Sequence, residues 1–242
     1  MPLPAINLRE GSGIMFLWKN LTCQRDQIKI TYVGYIRPSP VPKRIYISSD
    51  FRMKILNPYL RTMFRLLSKG IFFKLLKWEL HGQFPSLPKY IIAVVPHTSW
   101  VDFFLGLLVR SISGETINFI GKKELFRPLT GWFFRGLGGA PIDRTGNKGS
   151  VASLAAVFDA HQKFRIALAP EGTRKKVNKL RTGYYHLAKH LQIPIVPVAF
   201  DYENKKVIIH PNFYTTEDET QDLKTLEVLF KGVGGYSKEN SF

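Results

Sequence analysis

Residues 89–110 read KYIIAVVPHTSWVDFFLGLLVR, and this stretch decides the fold. Its first part, KYIIAVV (89–95), is a short apolar run rich in β-branched residues, which predicts a buried strand. Pro96 interrupts that run, and the segment from Ser99 to Arg110 predicts a helix that Thr98 or Ser99 can cap. A strand that leads directly into a helix is the unit from which α/β domains are built.

The same alternation continues toward the C-terminus. Further strands are predicted over 117–121, 164–170, 193–202 and 206–210, and helices over 146–163, 182–191 and 218–230, with a helical or loop region over 125–137. This pattern predicts an α/β fold: a single domain with a mixed, largely parallel sheet flanked by helices. Loops that leave the carboxyl ends of such strands usually carry the functional site.

Residues 1–52 differ from the rest of the chain. They contain the segment IKITYVGYI (28–36), which could form a strand, followed by the proline-rich PSPVP (38–42). Two interpretations stay open: a small strand-bearing extension, or a doubtful N-terminal extension that precedes a working domain beginning near Met53. The working domain is therefore predicted over residues 53–242.

An amphipathic helix is predicted over about residues 58–78, at the start of that domain. Its apolar residues recur at steps of three and four, as one helix face requires; they are Leu60, Met63, Phe64, Leu67, Ile71, Phe72, Leu75 and Leu76. The basic residues around them are Arg61, Arg65, Lys69, Lys74 and Lys77. These embedded charges favour a helix that lies in a membrane interface over one that spans it. The alternative is a helix that covers the core and shows a solvated basic face.

The charge of the chain restricts the class of partner. The 242 residues include 35 Lys+Arg against 18 Asp+Glu, a formal net charge of +17. Such a surface attracts polyanions: anionic lipid, nucleic acid, acidic proteins or phosphorylated substrates. Cys23 is the sole cysteine, so neither an internal disulfide nor a cysteine-rich zinc site is expected. No stretch approaches the roughly 18–20 apolar residues that a spanning helix needs, and no secretory signal is apparent.

His97 and Asp102, separated by four residues, form the first motif with chemical meaning. A turn at the start of the helix can bring the Asp102 carboxylate back to the imidazole. A carboxylate that orients one ring nitrogen leaves the other as a base for a substrate hydroxyl. Taken alone, this spacing also fits a histidine that merely caps a turn.

Three further blocks follow the first. PEGTR (170–174) ends the predicted strand 164–170 and is followed by Lys175, Lys176, Lys179 and Arg181, so that five cations fall within eight residues. GGAPIDR (138–144) ends in an arginine that could bind phosphate bidentately, or simply pair with Asp143. IPIVPVAF (193–200) is an apolar strand that contains two prolines, which by itself indicates an edge or bent strand.

In this order, the four blocks resemble the glycerolipid acyltransferase family of the lysophosphatidate (1-acylglycerol-3-phosphate) type. The resemblance extends over about residues 54–240, and the chain looks most like the short, single-domain prokaryotic members. It departs from the family where Pro96 stands before the histidine and where Gly139 and Ala140 replace larger apolar residues. These departures leave the catalytic pair plausible and put the identity of the acceptor in doubt.

The resemblance implies transfer of a fatty acyl group to a lipid hydroxyl, from coenzyme A or acyl carrier protein thioester. It implies that His97 is the base and that Asp102 orients it. Positions that bind the acceptor's phosphate, or hold that loop, are Lys122, Arg144, Glu171, Gly172, Thr173 and Arg174. Because Glu171 is acidic, we expect it to organise the donors and cations of its loop rather than touch phosphate. No metal and no cofactor are implied.

Three functional hypotheses remain at this point. The first is a membrane acyltransferase that uses a lysophospholipid, with the enzyme peripheral or monotopic on the cytoplasmic face of an anionic membrane. The second is an acyltransferase with another acceptor, such as an amino-lipid or other hydroxylated amphiphile. The third is a basic, non-enzymatic module that binds lipid or nucleic acid. Charge alone supports the third, but non-specific anion binding requires neither the His-Asp pair nor PEGTR, so no specific nucleic-acid partner is expected.

Overall fold

The computed structural model of the chain describes residues 20–24, 27–31, 58–142 and 147–241. The chain divides into two compact units, residues 1–41 and 42–242. In the first unit, strands β1 (Asn20–Gln24) and β2 (Gln27–Thr31) pair antiparallel. The predicted domain boundary between residues 52 and 53 lies outside the described residues and stays a prediction.

A seven-stranded sheet organises the second unit. Its strands are β3 (Glu79–His81), β4 (Lys89–Val95), β5 (Asn118–Lys122), β6 (Gly139–Ile142), β7 (Phe164–Leu168), β8 (Ile195–Asp201) and β9 (Lys206–Ile209). They lie in the order β3-β9-β8-β4-β7-β5-β6. Only β8 and β9 pair antiparallel, and every other neighbouring pair is parallel. This confirms the predicted mixed, largely parallel sheet.

Helices connect the strands, as the alternation predicted. They are α1 (Pro58–Lys69), α2 (Val101–Ser113), α3 (Pro128–Gly136), α4 (Asn147–Asp159), α5 (Gly183–Leu191) and α6 (Glu219–Val228). Short 3₁₀ turns cover Lys123–Phe126 and Lys238–Asn240. The α/β fold class predicted from the sequence is therefore confirmed.

The central strand β4 contributes to a hydrophobic core on each face of the sheet. Ile91, Ala93 and Val95 pack in a cluster with buried residues of α4, α5 and α6. Tyr90 and Ile92, which point the other way because side chains alternate along a strand, pack in a second cluster with residues of α2. Burial on both faces explains why the β4 sequence is almost uniformly apolar.

The position of β8 corrects one expectation. Its two-proline sequence indicated an edge or bent strand, but β8 lies inside the sheet between β9 and β4. Pro197 opposes Ala93 of β4, and its carbonyl accepts a hydrogen bond of 2.9 Å from the His210 amide on the other side. Pro197 thus lacks one ladder donor, while its carbonyl stays paired.

The N-terminal helix ends earlier than the predicted residue 78. α1 continues as a π-helical segment over Gly70–Leu75, and Lys77 then adopts a left-handed backbone conformation with φ 54°. This turn lets the Trp78 amide donate to the Phe72 carbonyl at 3.0 Å, and it buries both rings in the core beside α2. The need to bury Trp78 explains why the helix stops.

Helix α1 turns polar groups toward the protein and apolar groups outward. The Arg65 Nε donates to the Ile112 carbonyl at 2.9 Å, and the Ser68 hydroxyl donates to that of Ser111 at 2.8 Å. Large apolar side chains that stay exposed are Tyr59, Leu60, Met63, Phe64, Leu66, Leu67, Phe73, Leu75 and Leu76. Within the predicted stripe, Phe72 is fully buried and Ile71 is half-buried. Among the described residues, no helix is both long and apolar enough to cross a membrane.

The contrast between two adjacent phenylalanines gives a test of this packing. Phe72→Ala should destabilise the protein by about 3–5 kcal/mol because it empties a fully buried site. Phe73→Ala, at a side chain that is 42% exposed, should cost about 1 kcal/mol. Urea unfolding of both variants measures the difference. Equal losses would show that α1 is not fastened to the core through Phe72.

Candidate active site

The candidate site lies at one edge of the sheet, where several parallel strands end. β4, β5, β7 and β8 run in the same direction, so their carboxyl ends share that edge. His97 follows β4, Lys122 ends β5 and Glu171 follows β7. The parallel pairing therefore brings together residues from two of the four sequence blocks with Lys122, as expected for an open α/β sheet.

His97 and Asp102 form a close pair. The imidazole Nδ1 lies 3.2 Å from Asp102 Oδ2, and the Asp102 side chain is 1% exposed. The same Oδ2 accepts a hydrogen bond of 2.9 Å from the Ser99 amide, while the Ser99 hydroxyl accepts one of 3.2 Å from Val101. These bonds shape the first turn of α2 and return the carboxylate to the ring. An Nδ1–H that donates to Asp102 leaves Nε2 as an acceptor for a proton.

Glu171 fastens the loop after β7 to the loop after β4. Its Oε2 accepts a hydrogen bond of 2.9 Å from the His97 backbone amide. The residue is 2% exposed, and its Oε1 has no hydrogen-bond partner among the described residues. Burial raises the pKa of Glu171 to about 7, although the His97 amide opposes that shift. Glu171 thus bonds to the backbone of His97, and its organisation of the donors and cations in its own loop stays a prediction.

A large cavity opens beside the pair. It has a volume of about 1030 Å³ and includes His97, Lys122, Gly172, Thr173 and Arg174 among its lining residues. Lys122 and Arg174 are exposed cations, so the polar rim of the cavity is positively charged. Four of the predicted acceptor-binding residues therefore line the same space as the histidine. Arg144, the remaining predicted phosphate ligand, lies outside the described residues.

Arg181 is a cation of this rim that was not predicted as a site residue. It lines the cavity and lies against Gly172, which has φ +65°. A Cβ at Gly172 would come within 2.7 Å of the Arg181 Nε, so glycine permits the close approach. The run of five cations after Pro170 was the available sequence signal, but spacing alone could not show which of them turns back to the site.

The inner wall of the cavity is apolar. Side chains from the sheet and from α2 form it, among them Ile92, Val94, Val109, Val198 and Phe200. Several of these belong to the core cluster between the sheet and α2. The cavity therefore combines a cationic rim with a hydrophobic interior, which is the pattern that an anionic amphiphile requires.

Tyr202 is a second residue that sequence reasoning missed. It directly follows β8, and its hydroxyl donates a hydrogen bond of 2.6 Å to Asp102 Oδ1. The sequence carried a signal, because the predicted strand 193–202 ends at the edge where the site was expected. The partner of that hydroxyl, 100 residues away, depends on the pairing of β8 with β4. In the part of the chain that the structure describes, no group of three His, Cys, Asp or Glu side chains could hold a metal.

Comparison with known proteins identifies the family. The model of the family described as Acyltransferase matches residues 77–201, slightly more than half of the chain, and this range contains the histidine, the aspartate and the PEGTR loop. The chain therefore belongs to the Acyltransferase family.

Two curated relatives carry the same name, 1-acyl-sn-glycerol-3-phosphate acyltransferase. The protein from Streptococcus pneumoniae is 26% identical over 136 residues, which cover 52% of this chain and 50% of the relative. The one from Saccharomyces cerevisiae is 29% identical over 133 residues, 52% of this chain and 42% of the relative. This chain thus spans about half the length, or less, of these relatives. Because they come from a bacterium and a yeast, the prokaryotic subtype stays a prediction.

A solved structure is also similar, the 1-acyl-sn-glycerophosphate acyltransferase PlsC from Thermotoga maritima. It aligns with a TM-score of 0.49 at 21% identity, over 71% of this chain and 76% of that one. At that TM-score the likeness supports no assignment of a residue or a substrate.

The buried carboxyl of Glu171 generates a prediction about stability. The pKa of this carboxyl is near 4.5 in the unfolded chain and about 7 in the folded protein, so the folded protein keeps the proton up to a higher pH. Stability should therefore fall as the pH rises from about 4.5 to about 7. Glu171→Gln removes this titration. Between low pH and pH 7 or above, the parent should therefore lose about 3 kcal/mol more of its free energy of unfolding than the variant does.

Urea unfolding between pH 5 and pH 8 measures that difference. Glu217→Gln, which changes a fully exposed carboxylate, is the matched control and should follow the parent curve. If Glu171→Gln also follows the parent at every pH, the Glu171 carboxyl does not titrate in this range.

Proposed function

We propose that this protein transfers a fatty acyl group from a thioester to a hydroxyl of a lysophospholipid such as 1-acylglycerol 3-phosphate. The observation that carries the proposal is the His97–Asp102 pair at a cavity with a cationic rim and an apolar interior. The names of the curated relatives agree with this reaction. Membership of the Acyltransferase family supports acyl transfer in general.

In the proposed reaction, His97 is the general base. Its Nε2 takes the proton of the acceptor hydroxyl while that oxygen attacks the thioester carbonyl carbon. The tetrahedral intermediate collapses, the carbon–sulfur bond breaks, and the imidazolium returns its proton to the departing thiolate. Asp102 holds the ring through Nδ1 and stabilises the positive charge that forms on it. The products are an ester and a free thiol, and the proton balance needs no metal or cofactor.

The cationic rim is proposed to bind the acceptor's phosphate. Lys122, Arg174 and Arg181 line the cavity, and a guanidinium can bind a phosphate through two parallel hydrogen bonds. The Thr173 hydroxyl, which accepts a bond of 3.3 Å from the Lys175 amide, can donate its own proton to the phosphate. The family resemblance adds Arg144 to this set.

The acyl donor is proposed to be acyl-coenzyme A or acyl carrier protein. The formal net charge of +17 suits both, because coenzyme A carries phosphates and the carrier protein is acidic. The apolar cavity wall supplies an environment for the acyl chain. Assays with each donor separate the two.

The protein is proposed to act on the cytoplasmic face of a membrane, as a peripheral or monotopic enzyme. The outward apolar face of α1 and its basic neighbours are the supporting observation, because such a helix can lie in the interface of an anionic bilayer. Leu129 and Trp132 of α3, 89% and 71% exposed, and Trp100 beside the cavity add further apolar surface. A lipid acceptor that stays in the membrane can reach the cavity only if the cavity opens toward the bilayer.

The catalytic assignment generates a direct test. His97→Ala should lower the rate of thiol release by about 10²–10⁴-fold, because this is the usual contribution of a general base. Asp102→Asn should lower it by a similar factor because the ring loses its orientation. The assay combines the purified protein, long-chain acyl-coenzyme A or acyl carrier protein, and a panel of lysophospholipids in detergent and in liposomes.

The controls of this assay decide between the hypotheses. His81→Ala changes an exposed histidine that does not line the cavity and should retain parental activity. Activity confined to an amino-lipid or another hydroxylated acceptor would favour the second hypothesis. If no acceptor in the panel leads to thiol release, in detergent or in liposomes, the proposed function is contradicted. Tight, sequence-dependent binding of nucleic acid at physiological salt would then favour a binding module.

The exposed face of α1 generates a separate test of membrane binding. Changing Phe64, Leu66 and Leu67 to Ser should release the protein from anionic liposomes, while activity on a detergent-dispersed acceptor persists. Partial insertion of three such side chains contributes about 2 kcal/mol or more, so binding should weaken roughly 30-fold. Liposome sedimentation measures it. Phe72 is left unchanged because it belongs to the core.

A matched control removes exposed apolar groups elsewhere. Tyr214→Ser with Val228→Ser, at side chains that are 57% and 62% exposed, should bind liposomes as the parent does. If the α1 variant stays folded and binds as tightly as this control, α1 does not anchor the protein.

A further inference from the structure

The two oxygens of the Asp102 carboxylate have different hydrogen-bond partners. Oδ2 faces the His97 ring and the Ser99 amide. Oδ1 accepts the 2.6 Å hydrogen bond from the Tyr202 hydroxyl. Among the described residues no other group donates to Oδ1. Without Tyr202 this buried oxygen would have no partner, and a buried carboxylate oxygen without one is costly.

The Tyr202 ring is itself held in place from several sides. It packs edge-on against Trp78, with ring centroids 4.9 Å apart, and against Tyr236, at 5.5 Å. Its backbone amide donates to the Gly234 carbonyl at 2.8 Å. The hydroxyl therefore has little freedom to leave Asp102.

The C-terminal segment that holds Tyr202 also contacts the catalytic loop. The Ser237 amide donates to the Thr98 hydroxyl at 3.1 Å. Gly235 lies so close that a Cβ there would come within 2.8 Å of Thr98 and 3.1 Å of Pro96. Residues 234–237 therefore fix Tyr202 relative to the residues on either side of His97.

From this geometry we propose that Tyr202 is a positioning residue of the reaction. Its hydroxyl holds Asp102 so that only Oδ2 faces the imidazole, and it draws part of the carboxylate charge to Oδ1. The inference rests on the proposed function, since it assumes that His97 is the base. Tyr202 acts through Asp102 and does not touch the substrate.

The protonation of the hydroxyl agrees with this role. Burial and the hydrogen bond to Asp102 both raise the pKa of Tyr202, so it remains a donor throughout the range of enzyme assays. The other titratable groups around this network are His97, Glu171 through the His97 amide, and Tyr236 against the ring. Tyr236 is 58% exposed.

The test replaces the hydroxyl and keeps the ring. In Tyr202→Phe, kcat should fall about 10-fold while KM for the lipid acceptor stays within twofold. The acidic limb of the kcat profile should move to higher pH, because a carboxylate that has lost a donor attracts the imidazolium proton more strongly. The midpoint of the NMR titration of the His97 ring should move in the same direction, and this needs no substrate.

The matched control is Tyr185→Phe. Tyr185 also donates from a buried position to a carboxylate, Asp222, at 2.8 Å, but neither residue lines the cavity. This variant should lose stability and keep the parental kcat and His97 titration. A purely structural role for Tyr202 would give the same result in Tyr202→Phe, with kcat and titration unmoved, and would overturn the inference.

The readouts separate the inference from the proposed function. If the parent transfers no acyl group, the proposed function fails, and the NMR titration still decides whether Tyr202 acts on His97 through Asp102. If Tyr202→Phe does not fold, the parent is measured instead. Its Tyr202 hydroxyl proton should give a downfield, slowly exchanging signal that Asp102→Asn shifts. The absence of that signal in the parent would overturn the inference.

Discussion

The parallel pairing of β4 with β7 on one side and β8 on the other is the constraint on which the site depends. It sends three strand ends to one edge of the sheet, with His97, Glu171 and Tyr202 just beyond them. Residues up to 105 positions apart in sequence thereby meet within one hydrogen-bonded network. A slip of one residue in either pairing would turn alternate side chains to the opposite face and would separate these groups.

The network contains two buried carboxyl groups in different environments. Asp102 accepts hydrogen bonds from Ser99 and Tyr202 and lies beside His97, so its charge is compensated on both oxygens. Glu171 has one donor, the His97 amide, and burial raises its pKa to about 7. Hydrogen bonds offset the desolvation cost that burial imposes on a charged group, and Glu171 accepts fewer of them than Asp102 does. Asp102 is thus suited to face an imidazolium, while Glu171 is suited to hold a loop.

Helix α1 and the π-helical segment after it have one face that packs on the protein and one apolar face that is exposed. Its Arg65 and Ser68 bond to α2, and Phe72 enters the core, so the side chains that secure it occupy one face. The aliphatic and aromatic stripe is left outside, opposite to the usual arrangement of a helix on a soluble core. Exposed apolar surface of this extent is typical of a binding interface, and the basic residues around it favour an anionic one.

The sequence by itself determined most of the order of strands and helices, because apolar runs and helical periodicity are local properties, but it did not predict the short strands β3 and β6. It predicted the pairing of His97 with Asp102 through the resemblance to a family, because the spacing alone also fits a histidine that caps a turn. It predicted Lys122, Gly172, Thr173 and Arg174 as neighbours of the histidine through the resemblance to a family, and the structure places all four around the same cavity. Only the tertiary structure decided that β8 is an interior strand, that Phe72 is core while Phe64 is not, and that Tyr202 and Arg181 belong to the site. These features depend on which strands pair and which side of a helix meets the sheet, and such long-range choices leave no local pattern in the chain.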